Sequence, residues 1–118
     1  MAVTAFNSGT QTATIGTEHD LPATPFVNEA GTYQLLVDLN AMAVGDIVEL
    51  RAYARVLSGG TTRVVHFKRF YDAQAAEDMI AVSVPISTEL AVTEGIRFTL
   101  KQIRGTGRSF PWKVLKFA

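Results

Sequence analysis

The side chains of this 118-residue chain that could do chemistry are few, and their spacing is poor for it. There are two histidines, His19 and His66, and no cysteine. A zinc site draws on His, Cys and carboxylates at short, regular spacings. His19 stands beside Asp20 in an irregular stretch and His66 in a strand-like run, so neither has a second ligand at such a spacing. Disulfides and thiolate ligands are excluded. A serine nucleophile needs an adjacent base, and no G-x-S-x-G turn is present. Asp38, Asp46 and Glu49 are close enough in sequence to suggest a glycosidase-like carboxylate pair. Acids beside turns are mostly solvated, however. The expectation is no catalytic residue, no cofactor and no metal, and hence no enzyme.

Gly105-Thr106-Gly107, between Arg104 and Arg108, poses a sharper question. A phosphate-cradling glycine loop leads into a helix whose N-terminus faces the anion. Here the following residues are Phe110, Pro111, Trp112, Lys113, Val114, Leu115, Lys116 and Phe117, a strand-like alternation. The glycines are therefore expected to form the bend of a closing β-hairpin.

Two binding chemistries also arise. Arg51, Arg55 and Lys68, interleaved with Tyr53 and His66, have the makings of a single-strand nucleic-acid face. The net charge is zero, so the global basic footprint is missing and nucleic acid is not expected as a partner. Trp112, Tyr53 or Tyr71 could stack on a sugar, although the competing role for Trp112 is anchoring a core or an interface.

The elements that must position these residues read as strands. In "GTYQLLVDL", Tyr33, Leu35, Val37 and Leu39 share one face. In "DIVELRAYARV", Val48, Leu50, Ala52, Ala54 and Val56 oppose Glu49, Arg51, Tyr53 and Arg55. A two-residue turn at Gly59-Gly60 would pair Ala54 with Val65 and Ala52 with Phe67, leaving His66 and Lys68 on the arginine face. One residue of slip would exchange the faces. "MIAVSVPI" is expected to turn Ile80, Val82 and Val84 inward, and "GIRFTLKQI" to do so with Ile96, Phe98 and Leu100. "DAQAAED" has room for one helical turn, and "STELAVTEG" is a connector.

Regular turn spacing and absent helical periodicity predict an all-β fold. The expected form is an antiparallel β-sandwich, jelly-roll-like, or a flattened barrel, with an irregular N-terminal arm. Residues 1–30, rich in Thr, Ala, Gly and Ser and broken by Pro22 and Pro25, are read as that arm, with a possible short strand in "TQTATIG". Residues 31–118 form the sandwich domain. A chain of this length buries roughly two-thirds of its unfolded surface and folds without staples. No basic-then-apolar leader and no bilayer-length apolar run are present, so a soluble protein made in the cytoplasm is expected.

The charge is unevenly distributed. Residues 1–50 carry Glu18, Asp20, Glu29, Asp38, Asp46 and Glu49 but no Lys or Arg. Residues 95–118 carry Arg97, Lys101, Arg104, Arg108, Lys113 and Lys116 but no acid. Such segregation either matches patches between copies or is neutralised within one fold.

The run "GTYQLLVDLNAMAVGDIVELRAYARVLSGGTTRV" and the later "FTLKQIRGTGRSFPWKV" resemble small structural proteins of tailed bacteriophages. The shared pattern is a strand ending in "VDLNAM", then "GD", a charge-alternating strand, "SGGT" and a late "TLKQ…GTGR.FPW" segment. The resemblance implies a virion component, a head decoration or cement protein, with a tail-associated or carbohydrate-binding module as the alternative. It implies the major capsid protein or another virion protein as partner, a dimeric or trimeric assembly, and no membrane. The candidate interface residues are Phe26, Arg51, Tyr53, Arg55, His66, Lys68, Arg104, Arg108 and Trp112.

Overall fold

The computed structural model describes residues 3–21, 31–57, 59–75, 79–88 and 96–117. Nine strands follow in order: β1 (Val3–Thr12), β2 (Glu18–Asp20), β3 (Gly31–Asp38), β4 (Ile47–Ala54), β5 (Arg63–Tyr71), β6 (Ile80–Val82), β7 (Ile86–Thr88), β8 (Ile96–Arg104) and β9 (Ser109–Phe117). No helix long and apolar enough to cross a membrane occurs among the described residues.

Two antiparallel sheets face each other. Sheet A runs β1-β9-β3-β6, with β7 also on β3; sheet B runs β2-β8-β4-β5. β6 and β7 both pair with β3, at Leu36–Asp38 and Gly31–Tyr33, so they act as one strand interrupted at Ser83–Pro85. Counted that way, eight strands make two sheets of four. Their order, with the chain crossing repeatedly between sheets, is that of a jelly roll rather than a closed barrel.

Period-two alternation builds the core. Tyr33, Leu35 and Val37 of β3 meet Val48, Leu50 and Ala52 of β4 and Ile96, Phe98 and Leu100 of β8, with Phe110 and Val114 from β9. All are buried. Fully burying one large aliphatic or aromatic side chain stabilises by about 1.5–3 kcal/mol. Trp112 joins this core because β1 offers a glycine beneath it: a Cβ on Gly9 would sit 3.3 Å from the indole.

Several sequence-based expectations are corrected here. β8 and β9 are not a hairpin, since they belong to different sheets and residues 105–108 carry the chain across the sandwich. The β4–β5 hairpin is real, but its strands stop at Ala54 and resume at Arg63, and Val65 is left over as a bulge. Ala52 therefore pairs with His66 and Arg51 with Phe67, one residue away from the expected register. In β6 the buried residue is Ala81, because it lies opposite Val37; Ile80 and Val82 are exposed. Within residues 1–30, residues 3–12 form a full edge strand and 18–20 a short one in the other sheet. Asp72–Ala75 are not helical, and residues 76–78 lie outside the described residues.

Candidate partner-binding edge

The crossover at Gly105–Arg108 answers the phosphate-loop question. Asp46, 1% exposed, ends the loop between β3 and β4. Its carboxylate accepts from the Ala43 N–H at 2.9 Å, the Thr106 N–H at 3.2 Å and Arg108 Nε at 2.9 Å. The Arg108 N–H donates to Gln102 Oε1 at 3.2 Å, and Gln102 Nε2 donates to the carbonyls of Arg104 and Thr106. The Thr106 and Arg108 N–H groups and Arg108 Nε, donors that an anion would draw on, are taken up by the protein itself. Gly105 has φ +98°, and a Cβ there would fall 2.0 Å from Asp46 Oδ1. The glycine is required by this close approach. Burial pushes Asp46 up, but its three donors outweigh that and hold the carboxyl below its ordinary range.

The outer face of sheet B holds a second network. Glu49, 3% exposed, accepts from Arg69 and is paired with Arg51 at 2.8 Å. Glu18 accepts from Tyr53 and, at 2.6 Å, from the Thr99 hydroxyl. Asp20 pairs with Arg97, whose guanidinium lies over the Tyr53 ring, 5.0 Å from its centroid. Burial raises Glu18 and Glu49, yet hydrogen bonds and neighbouring arginines hold both below the ordinary carboxylate range. Burial and the Glu18 charge push Tyr53 up. The acids of the first half are thus matched to arginines of the second within one chain: Asp20 to Arg97 and Asp46 to Arg108.

The unmatched region is the open side of the sandwich, where β5 and β6 face each other as edges. Of twelve large exposed apolar side chains among the described residues, seven lie on β5 (Val64, Val65, Phe67, Tyr71) or on and just after β6 (Ile80, Val82, Val84). Ile80 and Val82 border the space between the two strands, whereas Phe67 lies against Arg51 and Arg69 on the outer face of sheet B. Between the edges is a cleft of about 240 Å³ reaching the core residues Leu35, Leu50, Ala52 and Phe98. His66, Lys68, Phe70 and Ser83 also line it. The side chains of His66 and Lys68 make no hydrogen bond or ion pair with any described residue. β5 holds no acid; besides Tyr71, its ionisable side chains are Arg63, His66, Lys68 and Arg69.

The sequence candidates are therefore dispersed. His66 and Lys68 come together, on the cleft side. Arg51 and Tyr53 are on the outer face of sheet B and occupied. Arg55 leaves the end of β4 and reaches the Thr62 hydroxyl at 3.2 Å. Arg104 is exposed at the end of β8, Arg108 serves the crossover, and Trp112 packs on the core. Phe26 lies outside the described residues. Of the rings considered for sugar stacking, Trp112 packs on the core and Tyr53 is covered by Arg97, which leaves Tyr71 exposed. Phe67, Ile80 and Val82 were missed as surface residues because the register and the inward face were misassigned. No group of three or more potential metal ligands gathers among the described residues.

Comparisons of the chain with protein-family models, with characterised proteins and with solved structures give no match.

Proposed function

We propose that this protein is a non-enzymatic structural component of a tailed-bacteriophage virion, a head decoration or cement protein that binds the assembled capsid and stabilises contacts between its subunits. It is made in the cytoplasm of the bacterial host and resides on the particle. The observation that carries the reading is the β5–β6 edge, where a cleft bordered by Phe70, Ile80 and Val82 also carries His66 and Lys68, whose side chains make no hydrogen bond or ion pair with any described residue. Clustered exposed apolar residues with a polar border mark an interaction surface. The complementary partner surface is apolar with carboxylates at its rim. Jelly-roll sandwiches also serve as viral capsid domains, which supports the reading by analogy alone. Repetition over many capsid sites makes a modest contact per copy sufficient.

The test uses particles of the phage that encodes the chain, stripped of this protein and re-incubated with the purified chain. Wild type is expected to co-sediment and to appear by electron microscopy as regular density on the head. V82D and K68E are expected to remain folded and to lose binding by roughly tenfold or more, as the loss of a buried anchor or a matched charge predicts. Density at the tail alone would replace the head assignment with the tail-associated one. Absence of the chain from the particle would overturn the virion reading.

A further inference from the structure

We propose that the free edge of β1 is the self-association surface of this protein, where a second copy adds its own β1 in antiparallel fashion and extends sheet A across a two-fold axis. β1 is ten residues long and, among the described residues, pairs only with β9. A bulge between Ala5 and Asn7 turns Phe6 aside onto Tyr33, edge to face at 5.2 Å, leaving Asn7–Thr12 as a regular run.

The direction of the backbone groups can be read from two side chains. The Ser8 N–H donates to Asn7 Oδ1 at 2.8 Å, and the Thr12 carbonyl accepts from Gln11 Nε2 at 3.0 Å. Neither group is used by β9. Antiparallel residues alternate between facing one neighbour and the other, so Ser8, Thr10 and Thr12 turn their backbone groups to the open side. The amides of Asn7 and Gln11 occupy that edge with single exposed bonds, each contributing little net stability. A pairing strand replaces them with a ladder.

The occupant is a second copy because the strand matches itself. A two-fold contact sets a patch against an identical patch. β1 has no ionisable side chain, and its Thr, Ser, Asn and Gln groups both donate and accept. The other edges do not fit. β5 would bring Arg63, His66, Lys68 and Arg69 against their own copies. β2 has three residues, and β6 and β7 are three-residue pieces separated by Ser83–Pro85. β1 is also exposed along most of its length, so an incoming strand has room.

The inference does not depend on what the β5 edge binds, so its test needs only the purified full chain. Sedimentation equilibrium is expected to give twice the 12.8 kDa chain mass. T10P removes an outward N–H without taking a bond from β9, and T10K places two like charges near the axis. Each is expected to raise the dimer dissociation constant by roughly tenfold or more. V44K, in the exposed β3–β4 loop, is expected to leave it unchanged. Amide exchange at Ser8, Thr10 and Thr12 is expected to slow as the dimer fills. A wild-type monomer at the highest soluble concentration, or a dimer that survives T10K with those amides unprotected, overturns the proposal.

Discussion

The two long edge strands, β1 and β5, meet the same hazard in opposite ways. Each has nine or ten residues and one strand neighbour. An open edge is a template for pairing, and proteins guard it with lysines, bulges and charge. β5 carries all three guards: Lys68 among four basic or histidine residues, and a bulge at Val65. Its basic side chains would meet their own copies in a self-pairing, and the proposed partner of this edge is one of opposite charge. β1 has only the Phe6 bulge and two amide placeholders. The difference teaches that, if the two proposals hold, charge is what keeps a self-matching edge and a foreign-matching edge apart in one domain.

The largest effect on this division is expected where the two sheets are clamped. Asp46 stands at the entry to β4 in sheet B, and Arg108 at the entry to β9 in sheet A. Asp46→Ala removes a buried carboxylate and leaves two backbone N–H groups and a guanidinium without their acceptor. A loss of about 3 kcal/mol or more is expected, read by urea unfolding through the single tryptophan. Loss below about 0.5 kcal/mol would show that the crossover is held by packing and not by this carboxylate.

Next in size is Glu49→Gln. Glu49 is the buried anion to which β5 is tied through Arg69 and β4 through Arg51. The change is expected to cost about 1.5–3 kcal/mol at neutral pH, the range for hydrogen bonds to charged groups. Its pH dependence has a definite sign. Glu49 and Asp46 are held below their ordinary values of 4.5 and 3.8 in the fold. Their stabilisation is complete above those unfolded values and is lost as pH falls through the lower folded ones. Acid unfolding is expected to begin below about pH 4.5, and the gap between wild type and E49Q to narrow there. A gap that is constant from neutral to acid pH would mean that the loss does not come from the charge of Glu49.

How much of this was legible depends on the strand. β3, β4 and β8 are central strands with one face on the core, so strict alternation named Tyr33, Leu35, Val48, Leu50, Phe98 and Leu100 correctly. The edge strands were not legible in that way. β1 is exposed on both faces, so it has no apolar period to read and passed for an irregular arm. β5 kept its alternation, but the bulge at Val65 exchanged its faces. The Gly105–Arg108 bend was recognised as a bend, yet a hairpin and a crossover need the same glycine. What separates them is Asp46, 60 residues away from its partner Thr106. The charge segregation was visible, and the structure pairs Asp20 with Arg97 and Asp46 with Arg108 inside one molecule. The cleft was invisible, because it is made where β5 and β6 fail to meet.

The smallest expected effect is also the one that separates the two edges most directly. Raising ionic strength from about 0.05 M to about 0.5 M shortens the screening length by roughly threefold. Pairing through β1 brings no charged side chain to the axis, so the dimer constant is expected to change by less than about twofold. Binding of the particle through β5 brings Lys68 and its basic neighbours against carboxylates, so that affinity is expected to fall several-fold over the same range. Two titrations on one preparation, sedimentation for the dimer and co-sedimentation for the particle, measure both slopes. Equal salt slopes would mean that both contacts use the same edge, and the division of labour between β1 and β5 would then be lost. Salt that weakens the dimer alone would point to β5 as the self-contact, with the charged side chains between copies in place of the neutral strand.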